Sequence, residues 1–240
     1  MQRQNLSAST KSGAWVLLLG LLSGCASTPP VADLQALIVS RNGLHVLSLT
    51  PGGVDTALPA VTPAQTFYDL ARHPGSKEVL AATHSGLQRI DLVTGVTQPF
   101  GPAGAPPILN ALAFTPDGRL FGGDEFGFFY RIESTTGQIT RLNDARPGAP
   151  YAGDLAAAPD GTMYATIAGS PSNKLVTVDL ATGQQYHIGI TGFDEVLGLT
   201  FKGNDLYGIT RYGEVLSIDR QSGRATLIRE TAFRTVVGMD

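Results

Sequence analysis

Apolar residues along the chain come in short runs separated by turn residues, and no stretch after residue 24 keeps a helical period. Four segments align on one another. They begin at Phe67 (FYDLARHPGSKEVLAATHSGLQRIDLVTGVTQPF), Leu109 (LNALAFTPDGRLFGGDEFGFFYRIESTTGQITRL), Gly153 (GDLAAAPDGTMYATIAGSPSNKLVTVDLATGQQYHI) and Leu197 (LGLTFKGNDLYGITRYGEVLSIDRQSGRATLI). The equivalent apolar positions Leu70, Leu112, Leu155 and Leu199 lie 42, 43 and 44 residues apart. Within a unit, a first run leads into a turn such as Thr115-Pro-Asp-Gly118 or Ala158-Pro-Asp-Gly161. Proline presets φ, aspartate caps the turn and glycine takes the unusual backbone angles. A second run ends at a connection centred on Gly86, Gly127 or Gly213. A third run ends in an acid followed by Thr or Ser and then Gly: Asp91/Thr94/Gly95, Glu133/Thr136/Gly137, Asp179/Thr182/Gly183 and Asp219/Ser222/Gly223. A fourth short run follows. Four short strands in a repeat of this length predict a β-propeller blade.

The ends of the chain complete the count. Residues 36–60 match strands two, three and four of a blade but lack the first. Thr235-Val-Val-Gly-Met-Asp240 matches a first strand with nothing after it, and Met239 falls 40 residues after Leu199. The predicted fold is therefore all-β: a five-bladed propeller of four-stranded blades, closed by the C-terminal strand joining the N-terminal blade. Closure removes most free sheet edges.

Residues 1–24 read as an address, outside the fold. Arg3 and Lys11 precede an apolar run from Gly13 to Leu22, a length that suits a signal segment and is short for a permanent span. The run ends in Leu22-Ser23-Gly24-Cys25, which resembles a bacterial lipobox with Cys25 as the lipidated residue. Residues 25–35 then form a flexible tether, and residues 36–240 the propeller. Several acyl chains on Cys25 would hold the protein firmly to a membrane. By resemblance to Gram-negative sorting, Ala26 and Ser27 after the cysteine favour the periplasmic side of the outer membrane. Maturation removes two basic residues and no acid, taking the net charge from −3 to −5.

Composition narrows the chemistry. An acidic balance argues against nucleic acid as a partner. A single cysteine leaves no intramolecular disulfide, cysteine-cluster zinc site or thiol redox pair. The chain has no G-x-S-x-G, H-E-x-x-H, Walker or G-x-G-x-x-G motif, and His45, His73, His84 and His187 are scattered. One acid per blade at the same turn (Asp91, Glu133, Asp179, Asp219) reads as a structural cap.

The pattern apolar-x-apolar-x-Pro-Asp-Gly-x-Leu-Tyr followed by Asp-x-x-Thr-Gly, over residues 36–240, resembles the repeats of the broad NHL, YVTN and gluconolactonase-like propeller group. That resemblance implies the architecture more than an activity, since these residues make turns. Relatives in the group include lipoproteins, interaction scaffolds and metal-dependent sugar lactonases. The lactonases' first-blade Gly-Glu-x-Pro signature has no match here.

Departures from the repeat mark candidate sites, because the fold does not require them. On the face formed by the second-to-third strand turns and the blade-to-blade connections, Arg41, His84, Tyr151, Phe193, Arg211, Tyr212 and Arg234 give an expected binding surface. Exposed aromatics beside arginines have the character of interface anchors. The expected function is a non-enzymatic binding or scaffolding module for a protein or polysaccharide, without a cofactor. The alternative is a hydrolase or lactonase holding one divalent metal such as calcium, with Asp69, Asp124, Glu125, Asp154, Asp194 or Glu195 as its acids. Asp69 and Asp154 fall at first-strand positions where other blades carry Ala111, Gly198 and Gly238, and so point toward the axis.

Overall fold

A computed structural model describes residues 34–40, 43–102, 107–143 and 148–240. The signal segment, Cys25 and Arg41 lie outside the described residues. The remainder forms five four-stranded antiparallel sheets arranged as the blades of a ring. Blade 1 joins the two ends of the chain. It contains β1 (Gln35–Ser40), β2 (Gly43–Ser48) and β3 (Thr56–Ala57), with β20 (Val236–Met239) as its innermost strand. Blade 2 contains β4 (Phe67–Arg72), β5 (Val79–Thr83), β6 (Gly86–Ile90) and β7 (Thr97–Phe100). Blade 3 contains β8 (Leu109–Phe114), β9 (Leu120–Asp124), β10 (Phe129–Ile132) and β11 (Ile139–Arg141). Blade 4 contains β12 (Tyr151–Ala157), β13 (Met163–Ile167), β14 (Lys174–Val178) and β15 (Gln185–Ile190). Blade 5 contains β16 (Val196–Lys202), β17 (Asp205–Thr210), β18 (Glu214–Ile218) and β19 (Ala225–Glu230).

Closure follows the expected pairing. Ile38 lies opposite Met239 and Val39 opposite Gly238. The backbones of Leu37 and Asp240 exchange hydrogen bonds of 2.6 and 2.7 Å. Hydrophobic burial is distributed between blades rather than in one central core. Leu80, Leu87, Leu112 and Ile132 fill the seam of blades 2 and 3. Phe121, Phe129, Leu155 and Val176 fill the next. Leu175, Leu199, Leu206 and Leu216 join blades 4 and 5. Ile38, Leu47, Ile209 and Met239 join blades 5 and 1, and Leu37, Val39, Leu70 and Ala81 join blades 1 and 2. Each buried Leu or Ile contributes roughly 1.5–3 kcal/mol, so every seam is an independent source of stability.

The turn chemistry is as the repeat implies. Asp91 Oδ1 accepts hydrogen bonds from the backbone N–H groups of Val93 and Thr94 at 2.8 and 3.2 Å. Asp179 does the same for Ala181 and Thr182, and Asp219 for Gln221 and Ser222. The glycine that ends each turn is left-handed, with φ of 74° at Gly95 and 70° at Gly183. Glu133 differs: its carboxylate accepts from the Thr135 hydroxyl at 3.2 Å.

The four inner strands β4, β8, β12 and β16 shift register against their partners near their starts, between Phe67 and Asp69, Leu109 and Ala111, Tyr151 and Leu155, and Val196 and Gly198. β20 shifts at the matching place, opposite Val39 and Ser40. Such bulges re-aim side chains. Here they set Asp69, Ala111, Asp154, Gly198 and Gly238 just before the five apolar positions of the repeat.

Candidate functional site

The narrowest part of the ring is its axis, and two carboxylates occupy it. Asp69 and Asp154 are both 0% exposed. Asp69 Oδ1 accepts from Leu70 N at 2.8 Å and Oδ2 from Leu112 N at 2.6 Å. Asp154 Oδ1 accepts from Leu155 N at 2.6 Å, and Oδ2 from Leu199 N and Met239 N at 2.6 and 3.2 Å. The donors are the five repeat-equivalent residues, one from each inner strand. The pair therefore ties all five blades together at the centre. Small residues opposite make room: a side-chain carbon at Gly238 would overlap the Asp69 carboxylate. Burial pushes both carboxyls well above the usual aspartate range. The charge of Asp154 beside it adds to the rise at Asp69. A sealed pair whose oxygens face five amides is a structural hub. It offers no room to a substrate.

The other expected acids do not join it. Asp124 is buried and caps its own turn, accepting from Phe126 N, Phe128 N and the Tyr130 hydroxyl at 3.0, 2.9 and 2.8 Å. Burial and that carboxylate together push the Tyr130 phenol up. Glu125 and Asp194 are exposed, and Glu195 pairs with Arg211. Among the described residues no group of three acidic, histidine or cysteine side chains converges as a metal ion would need.

Of the expected binding residues, the structure brings four together along blade 5. Arg211 and Tyr212 lie in the turn between β17 and β18. The Arg211 guanidinium sits 3.2 Å from Glu195, and Arg211 N donates to Glu195 O at 2.8 Å. This joins the turn to the connection carrying Phe193. On the other side, Thr231 N donates to Gly213 O at 2.8 Å. Arg234 Nη1 donates to the carbonyls of Thr231 and Phe233 at 2.6 and 2.8 Å, which brings Arg234 to the same turn. Tyr212, next to Arg211 in the turn, is 55% exposed, and the Arg234 guanidinium reaches the following Gly213. Glu195 holds a left-handed backbone at φ 50°, a strained conformation for a residue with a side chain. Phe233 turns inward and packs on His45, with ring centroids 4.1 Å apart.

Two expectations are altered. Tyr151 was expected on the surface but is 2% exposed. It opens inner strand β12, where its ring stacks near Phe129 at 6.3 Å and lies against Gly123. Burial pushes its phenol up to about 12. His84 is exposed but stands on blade 2, apart from the blade 5 group. The longer Gly169–Asn173 connection is a clamp between blades: Asn173 Oδ1 accepts from Val196 N at 2.7 Å. One exposed aromatic was missed. Phe126, at the tip of the β9–β10 turn, is 65% exposed. Its signal was a phenylalanine in a turn that needs only polar residues and glycine.

No protein-family model matches the chain, and the search of curated proteins gives no match. Solved structures do resemble it. A virginiamycin B lyase from Staphylococcus aureus is 16% identical with a TM-score of 0.51, over 83% of this chain and 67% of that one. A gluconolactonase from Xanthomonas campestris is 16% identical with a TM-score of 0.54, over 83% and 80%. An auxiliary nutrient binding protein from Bacteroides thetaiotaomicron is 12% identical with a TM-score of 0.54, over 85% of this chain and 60% of that one. The chain thus spans less than two thirds of the binding protein's length. Identities this low establish architecture alone: the chain is a β-propeller whose fold resembles that of these proteins.

Proposed function

We propose that the protein is a lipid-anchored periplasmic binding module, held at Cys25 to the outer membrane and capturing a protein or polysaccharide through the blade 5 side of its loop face. The observation that carries this reading is Tyr212, exposed on the turn that holds Arg211 and that Arg234 reaches, where the fold requires only the glycine that follows it. Tyrosine and arginine give large contact area and directional hydrogen bonds at low ordering cost, which is why they anchor interfaces. Phe126 adds a second exposed aromatic on the same face, at the equivalent turn of blade 3. The likeness to a nutrient binding protein is compatible with this role.

The test is cross-linking in cells with wild type and with Arg211→Glu/Tyr212→Ala. Both positions are partly exposed, so the fold should lose no more than roughly 0.5 kcal/mol beyond the weak ion pair to Glu195. The wild type should trap a partner that the variant releases. Identical partners from both proteins would end the assignment of this face. The anchor is checked separately: Cys25→Ser should move the protein from the membrane to the soluble fraction and abolish acyl labelling.

A further inference from the structure

The opposite end of the axis is chemically different from the loop face. β4, β8, β12 and β16 finish there, at Arg72, Phe114, Ala157 and Lys202, and Asp240 follows the end of β20, around a cavity of about 300 Å³. Leu155 and Leu199, whose amides bond Asp154, line it, while Phe114 and Phe201 contribute aromatic surface. Arg72, Lys77 and Lys202 also line it, against one carboxylate, Asp240. The three cations share the Asp240 side-chain carboxylate, so cationic groups outnumber acidic side chains at the cavity. Arg72 Nε stands 4.0 Å from Asp240 Oδ2, too far for a hydrogen bond, and this buried nitrogen has no hydrogen-bond partner among the described residues. Burial pushes the Lys202 ammonium down, with the Asp240 carboxylate acting the other way and the neighbouring Arg72 adding to the effect. His73 is a lining residue already in use, since its Nδ1 accepts from Gly75 N and Ser76 N at 3.0 and 3.1 Å.

We infer that this cavity is a binding site for a phosphate group, on a small molecule or on a lipid headgroup. A guanidinium with an unused N–H and two ammonium groups suit an oxyanion that carries several acceptor oxygens and more than one charge. The half-enclosed position raises the strength of each contact above that of an exposed pair. The excess of cation is local: the chain as a whole is acidic, at −3. The site lies on the face opposite Tyr212 and stands whether or not the loop face binds a partner. A lipid headgroup is a second source of the same phosphate chemistry, and β1 starts on this face at Gln35. That second source alone rests on the anchor proposed at Cys25.

The experiment uses the full chain in detergent and titrates inorganic phosphate against chloride at equal ionic strength, by calorimetry. Saturable binding is expected, weakened about tenfold or more in Arg72→Gln/Lys202→Gln and unchanged in Arg131→Gln, an exposed arginine on blade 3. Should the double variant fail to fold, Lys77→Gln, at an exposed position, is read in its place and should weaken binding. Sedimentation with phosphatidylcholine vesicles, with and without phosphatidylglycerol, separates the sources. Retention that needs phosphatidylglycerol, falls in the cavity variant and is competed by phosphate assigns the headgroup. Phosphate binding without any vesicle preference assigns the free anion. No saturable phosphate binding, or equal weakening in Arg131→Gln, would overturn the site.

Discussion

Asp69 and Asp154 at the axis and Asp91, Asp179 and Asp219 on the outer turns are the same side chain in opposite surroundings. The axial pair is sealed from water, and burial raises its carboxyls. The turn aspartates are solvated, and hydrogen bonds from neighbouring backbone and hydroxyl groups hold their carboxyls below the usual range. Both sets accept backbone N–H groups. The difference is reach. A turn aspartate satisfies amides two and three residues away within its own hairpin, whereas the axial pair satisfies amides from five strands. One motif stabilises a turn and the other holds the ring.

The largest effect should come from removing the strand that completes the ring. Deleting residues 233–240 takes away β20 and one of the five amides that meet the axial carboxylates, that of Met239, and opens the apolar seams beside Ile38 and Leu37. The expected loss is comparable with the whole stability of a typical domain, roughly 5–15 kcal/mol, read as loss of the cooperative thermal transition. A melting temperature equal to the full chain would refute closure. Next, Asp154→Ala strands the amides of Leu155, Leu199 and Met239 in a sealed interior. At about 1–3 kcal/mol for each unsatisfied buried donor, denaturant unfolding should show a loss of about 3 kcal/mol or more. A loss under about 1 kcal/mol would mean that water reaches the axis.

The pH dependence gives the two sets opposite signs. Asp69 has a raised carboxyl, so above the unfolded aspartate range the folded state binds the extra proton. Its contribution is complete at low pH and declines as pH rises toward the folded value, by at most about 1.4 kcal/mol per unit. Asp69→Asn keeps a neutral group there and should flatten that decline in a series of denaturant melts. An unchanged slope would show that the Asp69 carboxyl is not raised in the folded state. The smallest effect belongs to Asp179→Ala. Its depressed carboxyl contributes stability above the unfolded range, lost as pH falls through the folded value. Wild type and variant should therefore converge in acid, with a small gap at neutral pH.

Much of this was legible because the fold is periodic. The spacing that aligned Leu70, Leu112, Leu155, Leu199 and Met239 selected the five residues whose amides meet the axial carboxylates, and it placed Asp69 and Asp154 one residue before that register. The split first blade was legible for the same reason. Tyr151 was not. Its place at the start of β12 depends on a local bulge and on the space left by Gly123, neither of which the alternation of residues reveals. The basic cavity was hidden differently. Arg72, Lys77, Lys202 and Asp240 are scattered through the sequence, and each resembles an ordinary solvated strand end until the ring assembles them.

The pairing of Ile38 with Met239 also has a kinetic meaning. It is a contact between residues near opposite ends of the domain, and such distant contacts slow folding because the intervening chain must be ordered first. A chain emerging N-terminus first therefore carries β1 with one edge unpaired until the last residues arrive. During that interval the edge is a template for another strand, so the domain's exposure to aggregation is set by how long its end takes to appear.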